Sequence, residues 1–207
     1  YVNLNANYSQ LYYPRQYQDF RINGNVNGQL KNLWHIGING DYQPKRHDFY
    51  EPRVSGRMVI RPASWMKGFW LSTNSAKKYT FSFEYYNRLS PKYKSNNREI
   101  YVNNSYRFSS KLNIGLSNYM EFHDRNFGFA TIVNDSIIMS LRKIRTVENV
   151  LNIKYSFNNK LWTTFRLRHY WSKVHYDNLM DLNQDGSVTT IASISTNPDI
   201  NVNLFNV

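Results

Sequence analysis

The sequence predicts an all-β fold, an antiparallel transmembrane β-barrel, on three observations. Hydrophobicity alternates with period two over runs longer than the roughly five or six residues usual for globular strands. Aromatic residues make up 16% of the 207 residues, although the hydrophobic fraction is only 41% and the mean hydropathy is -0.64. Tight polar turns of one kind recur between the alternating runs. A barrel wall accounts for all three, since each crossing needs only about 9 to 11 residues with one oily face, while the other face stays wet.

Taken in order, the first run covers about residues 1–12. Segment 17–31 places Phe20, Ile22, Val26 and Leu30 on even positions against Asp19, Arg21, Asn23 and Asn25. Segment 33–43 sets Trp34, Ile36, Ile38 and Tyr42 against His35, Asn39 and Asp41, and segment 53–62 sets Val54, Met58 and Ile60 against Arg53, Arg57 and Arg61. Residues 68–88 read as one strand, because Phe69, Leu71, Thr73, Tyr79, Phe81, Phe83 and Tyr85 keep an odd phase throughout. Ser75 and Lys77 share that face, so part of this strand is expected to project beyond the bilayer.

Segments 98–108, 111–123, 127–133, 136–142, 145–157 and 160–174 follow, with a last strand starting near 200. In 111–123 the apolar positions are Leu112, Ile114, Leu116, Met120 and Phe122. In 145–157 they are Leu151, Ile153, Tyr155 and Phe157, and in 160–174 Leu161, Phe165, Leu167 and Trp171. The turns at Ser109-Ser110, Asn158-Asn159 and, more loosely, Lys31-Asn32 are short, which assigns them to one periplasmic rim. The total is about twelve strands, one domain over 1–207 that is expected to continue at both ends into a barrel of roughly 14 strands or more. A soluble sandwich or lipocalin-like barrel would show the same alternation with its apolar face inward. Its strands are shorter, however, and its turns come about every 8 to 12 residues.

The composition narrows the function. There is no cysteine, which removes disulfide frameworks, thiolate metal sites and cysteine nucleophiles. A net charge of +12 and a pI near 9.8 favour an anionic partner. Nucleic acid is not expected, because the strand aromatics share the apolar face rather than interleaving with basic residues. No run approaches the roughly 18 apolar residues of a membrane helix, which leaves strands as the only means of crossing. The start, Tyr1-Val2-Asn3-Leu4, is not a signal peptide, so the chain is expected to begin after processing or within a longer protein.

Several stretches carry a resemblance: Pro52-Arg53-Val54-Ser55-Gly56-Arg57-Met58 followed by Pro62, residues 72–78, and Arg145-Thr146 leading into Leu151-Asn152-Ile153-Lys154-Tyr155-Ser156-Phe157 and the Lys160-Leu161 turn. On these the chain resembles, over nearly its whole length, the outer-membrane β-barrel region of a Bacteroidota family of unknown function. Members of that family often carry, upstream, a carbohydrate-binding domain similar to family nine. The resemblance implies a barrel in the bacterial outer membrane and no particular activity.

Candidate sites follow from the alternation. Phe20, Ile22, Val26, Trp34, Ile36, Ile38, Leu112, Ile114, Leu116, Phe165 and Leu167 would face lipid. Arg21, Arg53, Arg57, Arg61, Arg107, Arg166 and Arg168, with Lys154, would face the lumen. There they either favour anionic solutes, as rings of basic side chains do in pores, or pair with Asp19, Asp41, Glu84, Glu121 and Glu148. Asp181, Asn183 and Asp185, followed by Gly186, fit the opening of a calcium loop, but the twelfth position is Ala192 rather than a bidentate Glu. The alternative there is a solvated turn. Lys45-Arg46-His47 and Lys92-Tyr93-Lys94 are loop charges able to meet lipopolysaccharide phosphates.

Tyr12, Tyr13, Trp34, Tyr42, Trp65, Phe108, Trp162 and Trp171 fall near strand ends, as an interfacial belt requires. His169 and His175 lie about 20 Å apart along a strand, too far to share a metal. No catalytic constellation stands out. The expected function is an integral outer-membrane barrel, acting as a pore or as a membrane anchor and scaffold for a surface domain or membrane-protein partner. The alternatives are a soluble, lectin-like β-sandwich for an anionic glycan and, third, an outer-membrane enzyme with a barrel-borne site.

Overall fold

The computed structural model describes residues 1–192 and 198–207. Thirteen strands form among them: β1 Val2–Leu11, β2 Gln16–Gln29, β3 His35–Gln43, β4 Arg46–Asp48, β5 Val59–Arg61, β6 Ser64–Ser72, β7 Tyr79–Ser90, β8 Ser95–Arg107, β9 Leu112–Val133, β10 Ser136–Ser156, β11 Trp162–Leu182, β12 Val188–Thr190 and β13 Ile200–Asn206. Among the described residues the only helical element is a 3-10 turn, Pro91–Tyr93, and no helix is long and apolar enough to cross a membrane. One antiparallel sheet runs β1-β2-β3-β6-β7-β8-β9-β10-β11-β12, with β13 also paired to β11, while β4 and β5 form a separate hairpin. The described strands form an open sheet, because β1 does not pair with β12 or β13.

Register converts the alternation into two faces. Ile22 lies opposite Tyr42 and Val26 opposite Ile38; Ile36 and Ile38 lie opposite Leu71 and Phe69. Farther along, Leu112, Ile114 and Leu116 lie opposite Tyr155, Ile153 and Leu151, which in turn meet Thr163, Phe165 and Leu167 across the next pair. Directly opposed residues of a ladder share a face. The apolar positions of the successive strands therefore make one continuous surface, and the polar positions make the other.

The strand at 53–62 is corrected. Only Val59–Arg61 of that stretch is extended, and it pairs with β4 outside the main sheet. Before it the chain turns, with Arg53 N–H donating to the Tyr50 carbonyl, Arg57 N–H donating to the Val54 carbonyl, and Gly56 at φ 75°. The single strand at 68–88 is corrected as well, since it is a hairpin of β6 and β7. Asn74 Oδ1 accepts the Ala76 N–H at 2.9 Å, and Thr73 N–H donates to the Phe81 carbonyl at 2.9 Å. Phase could not reveal this turn, because Leu71 faces Phe83 and Phe69 faces Tyr85, so odd positions oppose odd positions across it. The two corrections cancel in the strand count: four strands (β3, β6, β7 and β8) still separate the turn near Asn32 from that near Ser109.

Two splits are also corrected, since 111–123 with 127–133 is the single strand β9, and 136–142 with 145–157 is the single strand β10. Their register shifts between Arg142 and Ile144, where β9 carries an extra residue and Arg125 adopts φ 57°. Such a bulge moves the following side chains to the other phase. Phe127 and Phe129 accordingly take odd positions after the even run Leu112 to Phe122.

The buried core is not spread along the apolar face of the wide sheet. It gathers at one end, where Val59 meets Phe127, Ile137, Met139, Leu141, Met180 and Leu182 from the extended ends of β9, β10 and β11. The 44–63 connection is tied to those ends. Arg57 Nη2 donates to the carbonyls of Leu182 (2.7 Å) and Asn183 (3.1 Å), and Ile60 N–H donates to the Gly186 carbonyl at 2.9 Å. Large side chains on the apolar face stay in contact with solvent, with Ile38 58%, Val26 48% and Phe165 43% exposed.

Candidate functional site

The polar face is built from alternate residues of every long strand, and it is a mosaic of ion pairs and aromatic rings rather than a uniform field of positive charge. Asp41, whose side chain is fully buried, accepts from Arg21 at 2.6 Å and from both Nη atoms of Arg88 at 3.0 and 2.8 Å. Arg88 comes from β7, two strands away, and extends past Met66 to make this bidentate pair. Two positions on this face need glycine: a Cβ on Gly37 would come within 2.4 Å of the Trp70 indole, and one on Gly68 within 2.7 Å of the Tyr86 ring. Without those side chains, the rings lie directly against the backbone.

Next to this cluster, Tyr86 donates to Glu84 at 2.8 Å and Tyr101 donates to Glu99 at 3.2 Å. The Tyr101 and Tyr119 rings lie 4.7 Å apart, and His123 contacts Glu121 at 3.0 Å. On β11, Arg168 grips Glu148 through two bonds of 2.9 Å.

The candidate basic residues therefore divide. Arg21 and Arg168 are on the polar face and ion-paired. Arg107 and Arg166 share that face, with no ion pair among the described residues. Arg53, Arg57 and Arg61 belong to the 44–63 connection and not to a strand of the sheet. Arg53 sits over the Phe129 ring at 4.8 Å, Arg57 caps carbonyls, and Arg61 binds Asp48 at 2.7 Å and Glu51 at 2.8 Å. Among the proposed carboxylate partners, Glu121 meets His123, Glu84 meets Tyr86, and Asp19 accepts from Gln43 at 3.4 Å.

Sequence reading missed Arg88 and Arg142. The first could have been found from its shared even phase with Glu84. The second was hidden by the false break in β10, and its Nη2 lies 3.4 Å from Glu51 and 2.6 Å from Asn126 Oδ1.

Where the 44–63 connection meets the polar face it roofs a cavity of about 60 Å³, lined by Arg46, Arg61, Arg88, Ser64, Ser90, Ser95 and Asn97 among others. Arg61 and Arg88 are held by carboxylates, whereas Arg46 makes one hydrogen bond, from Nη1 to Gln43 Oε1 at 2.9 Å. Burial, followed by the neighbouring Arg61 charge, lowers the proton affinity of the Arg46 guanidinium. Asp48 shows the opposite balance. Burial pushes its carboxyl up, but N–H bonds from Glu51 and Tyr50 together with Arg61 outweigh this and hold it below the ordinary carboxylate range.

The stretch weighed as a calcium loop is the β11–β12 turn. Asp181 is a strand residue opposite Thr189. Asn183 Nδ2 donates to Ser187 Oγ at 2.8 Å, and Asp185 Oδ1 accepts from Ser187 N–H at 2.9 Å. Asn183 and Asp185 thus brace the turn itself. Among the described residues no group of three or more His, Cys, Asp or Glu side chains is placed to hold a metal ion. His169 and His175 have separate partners, the first stacked on Phe205 and the second 2.6 Å from Asp199.

On the other face the eleven residues assigned to lipid share one surface by register, with Trp34 closing the turn just before β3. Trp34 and Tyr42 bracket Ile36 and Ile38 on that surface, separated by about 26 Å along the strand. Trp162 is out of phase, since it opposes Ser156. A polar ladder crosses the surface: Asn118 donates to Asn149 at 2.6 Å, Asn149 lies 3.2 Å from His169, and His169 lies 3.2 Å from Asn203. Each member bonds the next. Neither a curated protein nor a solved structure matches the chain. A family model described as a domain of unknown function, DUF5916, matches it across residues 1–207, and the chain belongs to that family.

Proposed function

We propose that this chain forms the wall of an integral outer-membrane β-barrel, with its apolar face against lipid and its polar face lining the lumen. It serves there as a pore, or as a membrane anchor and scaffold for a surface domain or partner complex. The carrying observation is the exposed apolar face, on which no second layer among the described residues covers Ile22, Val26, Ile36, Ile38, Phe69, Leu116 and Phe165. In water such a face is a liability; in a bilayer it is the requirement for spanning.

Three further features support the reading. The sheet path has ten strands, an even number, so its first and last strands run in opposite directions and could meet in antiparallel closure. Any further strands would have to enter in pairs. The Trp34 to Tyr42 spacing, about 20 Å along the membrane normal for a strand tilted by about 40°, fits within an apolar band about 25 Å tall flanked by aromatic girdles. The mutual bonding along Asn118, Asn149, His169 and Asn203 is what hydrocarbon demands of polar side chains.

Detergent dependence tests this. The purified protein is expected to aggregate when detergent is withdrawn and to insert into lipid vesicles. Monodisperse protein in detergent-free buffer would overturn the reading and return the apolar face to the interior of a soluble sandwich for an anionic glycan. Planar-bilayer conductance separates the two roles, with stepwise currents marking a pore and silence in inserted protein marking an anchor or scaffold.

A further inference from the structure

The cavity under the β4–β5 hairpin has no role in the membrane reading. Its lining mixes three guanidinium groups with the hydroxyls of Ser64, Ser90 and Ser95. Two of the guanidiniums are committed: Arg61 to Asp48, Glu51 and the Phe127 carbonyl, and Arg88 to Asp41. Arg46 is partly buried, and among the described residues no carboxylate lies within ion-pair distance of it. Of its five N–H donors, one bonds Gln43. Ser95 Oγ makes only a long bond of 3.4 Å to Asn97.

The carboxylates of Asp19 and Asp48 act on Arg46 only through space, beyond ion-pair distance, and a partly buried guanidinium whose donors are left without partners is costly. Its fork of donors matches the oxygens of phosphate and related anions. The volume of about 60 Å³ exceeds what a single water needs and suits a group of a few heavy atoms.

We propose that this cavity binds a small soluble oxyanion of the phosphate or sulfate class, with Arg46 supplying its main charge and Ser95 a hydroxyl donor. Arg61 and Arg88, fixed by their carboxylates, form the flanking walls. The site opens among residues of the polar face and not on the apolar surface, so the anion arrives from solution, not as a lipid headgroup. Binding here does not depend on the membrane reading, and the two can fail separately.

The test is calorimetric titration of the full chain with inorganic phosphate, ionic strength being held constant with chloride. Saturable binding is expected. Arg46→Gln should weaken it about tenfold or more, and Lys31→Gln, in the exposed turn before β3 and outside the cavity, should leave it unchanged. If Arg46→Gln does not fold, Ser95→Ala replaces it, with an expected loss of roughly threefold. Absence of saturable phosphate and sulfate binding, or unaltered affinity in the cavity variant, overturns the proposal. Competition by phospholipid in mixed micelles as strong as that by free phosphate also overturns it, by moving the source to the membrane.

Discussion

Asp41 shows how much one residue organises the polar face. Its carboxylate has no solvent contact and holds two arginines from different strands, Arg21 and Arg88. Asp41→Asn leaves both guanidiniums short of a counter-charge. The expected loss is about 2 kcal/mol, below the usual cost of breaking a fully buried pair because both arginines remain partly wet. Thermal or denaturant unfolding in detergent measures it, and an unchanged midpoint would show that the cluster contributes nothing. Alternation places Arg21 and Asp41 on a common face from sequence alone. It does not pair Arg88 with them, because that contact depends on β6 lying between β3 and β7. Arg46 was legible only as loop charge, since its burial is created by the hairpin folding over the sheet.

Among the elements, β6–β7 and β9 failed sequence reading for opposite reasons. The turn at 73–78 preserved phase, because residues facing each other across it sum to an even number, as with Leu71 and Phe83. The bulge at Arg125 broke phase within a strand that continues. Phase therefore reports which face a residue is on, whereas turn chemistry reports where a strand ends. Ser75 and Lys77 on an apolar face, next to Asn74, were that chemical signal.

The two sites should respond differently to insertion. Four Gly/Ser residues placed between Ser75 and Ala76 should cost about 0.6 kcal/mol, the scale of doubling a loop. The same four placed between Asp124 and Arg125 should disrupt pairing of β9 with both neighbours and abolish the folded state. Protease resistance and unfolding midpoints of the two variants check this, and equal tolerance would mean that β9 is not continuous.

At the scale of the whole molecule, the unusual property is the separation of burial from sheet formation. The buried apolar cluster sits where the 44–63 connection locks onto β9–β11, while among the described residues the wide sheet leaves its oily face uncovered. If lipid covers that face, Ile38→Arg should cost about 2 to 4 kcal/mol near the bilayer midplane. The same change at an exposed position in water should cost under about 0.5 kcal/mol. Folding yield into vesicles measures the difference, and an unperturbed variant would mean that Ile38 does not meet hydrocarbon.

By itself, the sequence determined the strand class, the antiparallel meander with its short-turn rim, and the division of residues between a wet and an oily face. Those properties follow from a two-residue period and from turn residues, both written locally in the chain. Tertiary structure alone decided that Arg53, Arg57 and Arg61 leave the sheet, that Arg88 completes the Asp41 cluster, and that Arg46 is partly buried with no carboxylate at ion-pair distance among the described residues. Each of these depends on which distant strand lies alongside and on where a long connection lands, and no local periodicity encodes either.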